Sequence, residues 1–213
     1  MKMKNILVVG AHFDDAELGA GGSMRKWSEE GKKVYKLTLT DNETNFEQYN
    51  LKVNYCKTKN ESAVASEVLG VIEVNDFLPE KCNELLYSAK LMQRVEKIIY
   101  DLKIDTVVIH SSEDANQDHI EASKICVTAA RHCENILFFK SNGYLSETGF
   151  LPNYFVDITK YIDLKKKALE AYSSQNNRQG RLFDSCIERN HFYGYSVGVG
   201  YAEPFKVLRM VEK

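Results

Sequence analysis

The sequence predicts an α/β fold: a Rossmann-like, mostly parallel sheet with helices on both faces and ligands at the carboxyl ends of the strands. Three observations carry this expectation. Short β-branched runs alternate with longer segments of helical period, the chain opens with a strand–helix–strand unit, and 213 residues at 44% hydrophobic are enough to bury a core. The opening unit is Asn5 to Gly10 as a strand, a helix from about Glu17 to Glu30, and a strand from Lys33 to Leu39. An amphipathic helix from Lys59 to Leu69 follows, closed by Gly70. Then come a short run at Val71 to Val74 and a helical segment whose Leu91, Val95, Ile98, Ile99 and Leu102 share one face. Next are Thr106 to His110, a helix from about Asp118 to Arg131 with Ile120, Ile125, Cys126 and Ala129 inward, and Ile136 to Phe139.

The last third reads as elements capping the sheet. They are a strand at Phe155 to Ile158, a helix from about Ile162 to Tyr172, a polar loop from Ser173 to Gln179 and a run from Val197 to Val211. Lys165, Lys166 and Lys167 read as a solvated helix face. There is no repeat, no low-complexity tract and, with three prolines in the chain, no Pro-rich hinge. Residues 1–213 are therefore expected to form a single domain.

Composition narrows the function classes. Lys plus Arg total 28 against 30 Asp plus Glu, interspersed in sign, so nothing marks a nucleic-acid or anionic-membrane surface and a small-molecule substrate is the expectation. No apolar run approaches the roughly 18 residues of a membrane span, and the start Met-Lys-Met-Lys runs straight into the first strand, which is read as cytoplasmic. Five cysteines without a Cys-x-x-Cys pair predict reduced thiols rather than disulfides or a thiolate zinc site. A homo-oligomer is compatible with all of this.

The most informative stretch is Gly10-Ala-His-Phe-Asp-Asp-Ala-Glu17, between the first strand and its helix. Open α/β sheets place ligands at such strand ends. His12 and Asp15 are close enough to converge on one cation, and Asp14 between them is a spare carboxylate, an arrangement suited to a catalytic metal. The alternative is that Asp14 or Asp15 caps the helix. A second cluster, Ser111-Ser-Glu-Asp-Ala-Asn-Gln-Asp-His119, lies at another strand end and also opens a helix. If the two meet, His12, Asp15 and His119 form the open three-ligand set that leaves a fourth zinc position for water.

His12-Phe-Asp-Asp15, followed by Glu17-Leu-Gly-Ala-Gly-Gly22, resembles the His-Pro-Asp-Asp signature of the PIG-L/LmbE-like zinc N-deacetylases. Asp114-Ala-Asn-Gln-Asp-His119 resembles their Asp-x-His-x-Asp-His signature. Weaker echoes at Asn60 to Gly70, Phe155 to Ile158 with Lys165 to Gln175, and Gly198 to Phe205 extend the resemblance over nearly the whole chain. It implies one Zn2+, or another first-row divalent ion, on His12, Asp15 and His119, with Asp14 as general base. It also implies a substrate among small N-acetylated amino sugars of the N-acetylglucosamine type. The sequence departs from the pattern at Phe13, where proline is usual, and at Asn116, where the family has a histidine assisting the oxyanion or the leaving amine. Before the helix at Glu61 it offers only Lys57 and Lys59, where relatives carry a substrate-contacting Arg.

As a neutral amide, Asn116 is expected to donate to the oxyanion, with the amine's proton supplied by Asp14, His110 or His191. Asp114 and Asp118 are expected to orient a metal-binding imidazole. Asp41 and Glu43, after the second strand, and His191 in Arg189 to Tyr193 suit sugar hydroxyls or a sugar rim, against solvated-turn and core-packing readings. His110, ending an apolar strand, reads as structural before catalytic, and Glu203 as either. Two rivals remain: a nucleotide-binding oxidoreductase, disfavoured because carboxylates replace the Gly-x-Gly-x-x-Gly turn, and a non-catalytic metal-containing sugar-binding module.

Overall fold

The computed structural model describes residues 3–49, 51–176 and 182–212. β1 (Asn5–Gly10), α1 (Asp15–Glu29) and β2 (Lys33–Thr38) form the opening βαβ unit. A hairpin of β3 (Thr44–Phe46) and β4 (Leu51–Val53) follows, then α2 (Tyr55–Leu69) and β5 (Ile72–Glu73). The centre of the chain supplies α3 (Ala89–Asp101), β6 (Thr106–His110), α4 (Gln117–Ala129) and β7 (Asn135–Phe139). The last third supplies β8 (Tyr154–Asp157), α5 (Ile162–Glu170), α6 (Ser173–Asn176), α7 (Leu182–Ser196) and β9 (Ala202–Arg209).

The main sheet has the order β5-β2-β1-β6-β7-β9-β8; its first five strands run parallel, and β9 pairs antiparallel with both β7 and β8. β1 shows why both faces must be covered. Ile6 and Val8 pack with Met24, Trp27, Leu69 and Phe183 on one face, while Leu7 and Val9 pack with Leu91, Val95 and Ile125 on the other. From β1 the chain steps outward to β2 and β5, then returns to place β6 on the opposite side of β1. The loops after β1 and β6 therefore diverge from adjacent strands, and the crevice between them is a topological switch point. Both sequence clusters lie there.

Local chemistry fixes the ends of the elements. The Asn54 side chain accepts from the Lys57 N–H and starts α2 a turn earlier than the periodicity predicts; Gly70, at φ 67°, closes it in the left-handed region as expected. The hairpin and α7 are additions to the expected elements, so Arg189 to Tyr193 is helical rather than a loop. The front of the expected polar loop, Ser173–Asn176, is a short helix, and residues 177–179 lie outside the described residues.

Lys165 corrects another expectation. It is fully buried and bonds Glu203 Oε1 at 2.6 Å, because Ile162, Lys165 and Leu169 share the inward face of α5; Lys167 stays exposed. The pair serves a break in α1 at Ala20 (φ −143°). Lys165 Nζ donates to the Leu18 carbonyl at 3.0 Å, while the Glu203 carboxylate accepts from the Gly22 and Ser23 N–H groups at 2.9 and 2.7 Å. The backbone groups released by the kink are thus satisfied by one buried ion pair. Glycine is required beside the kink: a Cβ on Gly19 would lie 2.1 Å from the Phe139 ring. All five cysteines are free, four of them buried. Among the described residues no helix is long and apolar enough to cross a membrane.

Candidate metal centre and its pocket

His12 and Asp15 leave the end of β1, and His119 lies in the first turn of α4, which follows β6. Their ligand atoms converge: His12 Nδ1 is 3.2 Å from Asp15 Oδ2, and His119 Nε2 is 3.3 Å from both His12 Nδ1 and Asp15 Oδ1. The capping alternative fails for both aspartates. Asp15 Oδ2 accepts from the His12 N–H at 2.7 Å, and Asp14, at the N-cap position of α1, makes no side-chain capping bond and instead lines the pocket.

The outward ring nitrogens show how the imidazoles are held. His12 Nε2 meets Asp118 Oδ2 at 3.1 Å, and His119 Nδ1 meets Asp114 Oδ2 at 3.1 Å. Asp118 is itself fixed by the Asn83 and Leu85 N–H groups, and Asp114 by the Asn116 N–H and the Asn142 amide. Two carboxylate–imidazole pairs aimed at one point are the arrangement that orients metal-binding histidines. Other His/Asp/Cys groupings exist here, His12–Cys82–Asp118 and His110–Asp114–His119, and in each the carboxylate is the one that meets an outward ring nitrogen of His12 or His119.

The electrostatics ask for a cation. Burial pushes the Asp15 carboxyl up, but His119, His110 and His12 reverse this and hold it well below its usual range. Burial pushes His119 down, yet Asp15 and Asp114 outweigh it and hold the imidazole up at about 9; His12 is likewise raised against its own burial by Asp15 and Asp118. Asp114 is held down at about 2, burial being outweighed by the His119 bond and charge and by Asn142. A carboxylate and two imidazoles facing one another need either protons or a metal ion between them, so the donor set fits a divalent ion.

Asn116 is the N-cap of α4: its Oδ1 accepts from the Asp118 and His119 N–H groups at 2.9 and 3.4 Å. Its side chain also lines the pocket of about 220 Å³ over the centre, with Asp14, Thr44, Cys82, Asn83, Ser141, Asn142 and Tyr144 among the walls. The remaining sequence candidates lie elsewhere. His110 is fully buried beneath the ligands, stacked on His119 at 4.0 Å, and burial, with the His119 charge adding, pushes it down to about 4. It contributes no part of the pocket wall. Asp41 Oδ1 accepts from the Glu43 and Cys82 N–H groups, and exposed Glu43 accepts from the Tyr55 N–H. His191 is exposed on α7 against Tyr201, off the pocket.

Sequence reasoning missed Asn142, Ser141, Thr44 and Cys82. Ser141 and Asn142 follow β7 in an ordinary turn composition, and only the fold shows that Arg189 of α7 clamps their carbonyls at 3.2 and 2.6 Å. The cap at Asn116 was legible, since asparagine before a helix start is a capping signal.

Comparison with known proteins agrees with the fold. Residues 7–130, more than half of the chain, match the family model described as PIG-L: GlcNAc-PI de-N-acetylase. The diacetylchitobiose deacetylase of Thermococcus kodakarensis is 25% identical over 225 residues, spanning 97% of this chain and 84% of that protein. Among solved structures, the conserved protein TT1542 from Thermus thermophilus superposes with a TM-score of 0.82 at 26% identity, covering 99% of this chain and 97% of that one. A 4-carboxy-2-hydroxymuconate hydratase from Pseudomonas putida shares the fold at a TM-score of 0.81 and 20% identity, covering 99% of each.

Proposed function

The chain belongs to the GlcNAc-PI de-N-acetylase family, and from that premise we propose that it is a zinc-dependent hydrolase that removes the acetyl group from the nitrogen of a small N-acetylated amino sugar. The fold also hosts hydration in a structural neighbour, so the reading rests on the site. The observation that carries it is the convergence of His12, Asp15 and His119 on one point, with each outward ring nitrogen held by a carboxylate. The chemistry that zinc supplies there is Lewis acidity, which brings the pKa of water to about 7 and polarises a carbonyl.

The residues do the rest. Hydrolysis joins a water oxygen to the acetyl carbon, breaks the C–N bond and delivers a proton to the departing nitrogen. Asp14, on the pocket wall beside Asp15, takes the water's proton and returns it to the amine. The Asn116 amide N–H faces the oxyanion while its oxygen caps α4, and Asp114 and Asp118 keep His119 and His12 in the ligating tautomers. With His110 enclosed and His191 off the pocket, Asp14 is the candidate among these three that reaches the pocket to carry the proton. The pocket, smaller than the roughly 300–1,000 Å³ of drug-sized sites, suits one sugar ring.

The test is amine release from a panel of N-acetyl sugars, with and without a chelator and with zinc restored. Release that disappears on chelation and returns with zinc supports the reading. Sugar binding without release would make the chain a binding module on a deacetylase scaffold, and hydration of an unsaturated acid without amine release would replace the reaction.

A further inference from the structure

A charged side chain lies in the core on β2, outside the metal centre. Lys36 is 2% exposed, and its Nζ donates to Glu17 Oε1 of α1 at 2.5 Å, to Ser62 Oγ of α2 at 2.8 Å and to the Tyr172 hydroxyl at 2.9 Å. An ammonium has three protons and accepts nothing, so all three are committed and the Tyr172 oxygen is the acceptor. The phenol's own proton then points the other way, to the Phe13 carbonyl at 2.7 Å, which can only accept. Burial, with the Glu17 charge next, pushes the phenol well above its usual range and keeps that proton in place. A buried charge is costly to desolvate, and an apolar group of similar size often packs as stably. What the ammonium adds here is a direction for the phenol.

The bond from Tyr172 falls on the turn between β1 and α1. The Phe13 carbonyl and the Asp14 N–H belong to one planar peptide unit. On the other side of Asp14, its own carbonyl accepts from the Leu18 N–H at 2.9 Å, which opens α1. Both peptide planes that meet at the Asp14 Cα are therefore tied down. These planes set its φ and ψ, −89° and −10°, and with them the direction of its Cα–Cβ bond. The ligand-bearing part of the turn has its own anchors: the Ala11 N–H donates to His110 Nε2 at 3.1 Å, and the His12 N–H to Asp15 Oδ2 at 2.7 Å. The Tyr172 bond acts instead on the plane that enters Asp14.

We propose that Tyr172 is a positioning residue for Asp14: its hydroxyl, aimed by the Lys36 ammonium, holds the Phe13–Asp14 peptide so that the Asp14 carboxylate on the pocket wall meets the attacking water. The inference rests on the reading of Asp14 as general base and adds the group that acts through it. Tyr172 is fully buried and forms no part of the pocket wall, so it touches neither substrate nor metal. Without its hydroxyl the peptide plane is free to tilt, and the carboxylate leaves the line along which it takes the proton. The metal ligands keep their own anchors. The effect therefore falls on kcat and leaves KM and metal binding in place.

The experiment measures kcat, KM, metal content and Tm for Tyr172→Phe, alone and combined with Asp14→Ala, with zinc present and on an N-acetyl sugar that the wild type deacetylates. Tyr172→Phe removes one oxygen and should lower kcat about 10- to 100-fold, as a misplaced reacting group does, with KM and metal content unchanged. In the Asp14→Ala background the same change should lower kcat no further, because a group acting through Asp14 has nothing left to position. Ser62→Ala takes another partner from Lys36 but leaves the Tyr172–Phe13 bond, so its Tm should fall while its kcat holds. An unchanged kcat in Tyr172→Phe overturns the proposal, as does an equal proportional loss in the two backgrounds or in Ser62→Ala. A Tyr172→Phe chain that does not fold with zinc present would mark a structural role and overturn it too. No amine release by the wild type from any N-acetyl sugar, or full kcat in Asp14→Ala, would instead overturn the reading on which the proposal rests.

Discussion

Truncating Asn116 to alanine should cost both stability and turnover, through two different atoms of one amide. The oxygen end caps α4, accepting from Asp118 N–H at 2.9 Å and His119 N–H at 3.4 Å. Losing an N-cap costs about 1 kcal/mol, which in a chain of this length lowers Tm by about 2–4 °C. The nitrogen end is assigned to the oxyanion, and removing one such donor lowers kcat by about 10²- to 10³-fold. Asn116→Asp separates the two. A carboxylate caps as well as an amide and suits the positive helix N-terminus, so Tm should hold, but it presents no donor to the oxyanion and activity should fall at least as far as in the alanine variant. Asn116→His restores the residue usual in the family and adds a group titrating near 6.5 to the pH–rate profile, but gives up the amide cap. The assays are thermal unfolding and amine release on the same preparations. Full activity in Asn116→Asp would remove the oxyanion role, and an unchanged Tm in Asn116→Ala would remove the cap.

Three further outcomes are expected. His12→Ala with His119→Ala should abolish binding of the single divalent ion per chain, so equal metal content in wild type and double variant, by elemental analysis, would refute the ligand set. Asp14→Ala should keep its metal and lose about 10²- to 10⁴-fold in kcat; metal lost together with activity would make Asp14 a ligand instead. In the metal-free protein, His119 is held up at about 9 against about 6.5 when unfolded, so its contribution to stability is complete below pH 6.5 and disappears as pH rises through 9. Metal-free Tm should therefore fall across that window, and the gain on adding zinc should grow across it because the ion needs the deprotonated imidazole; a gain that shrinks with rising pH would contradict the assignment.

The sequence by itself determined the class of fold and the residues that make up the candidate metal centre. Period-2 and period-3.6 patterning is local, so the strands β1, β2, β5, β6 and β7 and the helices between them are legible, and so are clusters set between a strand and a helix, where His12, Asp15 and His119 stand. Where a pattern was read by composition rather than by face, it misled: Lys165 looked solvated beside two other lysines, yet its position on the inward face of α5 and a partner 38 residues away put it in the core. Only tertiary structure decided which polar residues surround the centre. The pocket walls come from segments that follow β2, β5, β6 and β7, whose closeness follows from strand order rather than from any spacing along the chain. Asp41 and Glu43 gave their carboxylates to neighbouring backbone donors, His110 was enclosed beneath the ligands, and Ser141, Asn142 and Thr44 took places at the pocket that no local pattern marks. A side chain's partners across the sheet depend on how the whole chain winds, and this is why the ligands were readable from sequence while the groups around them required the fold.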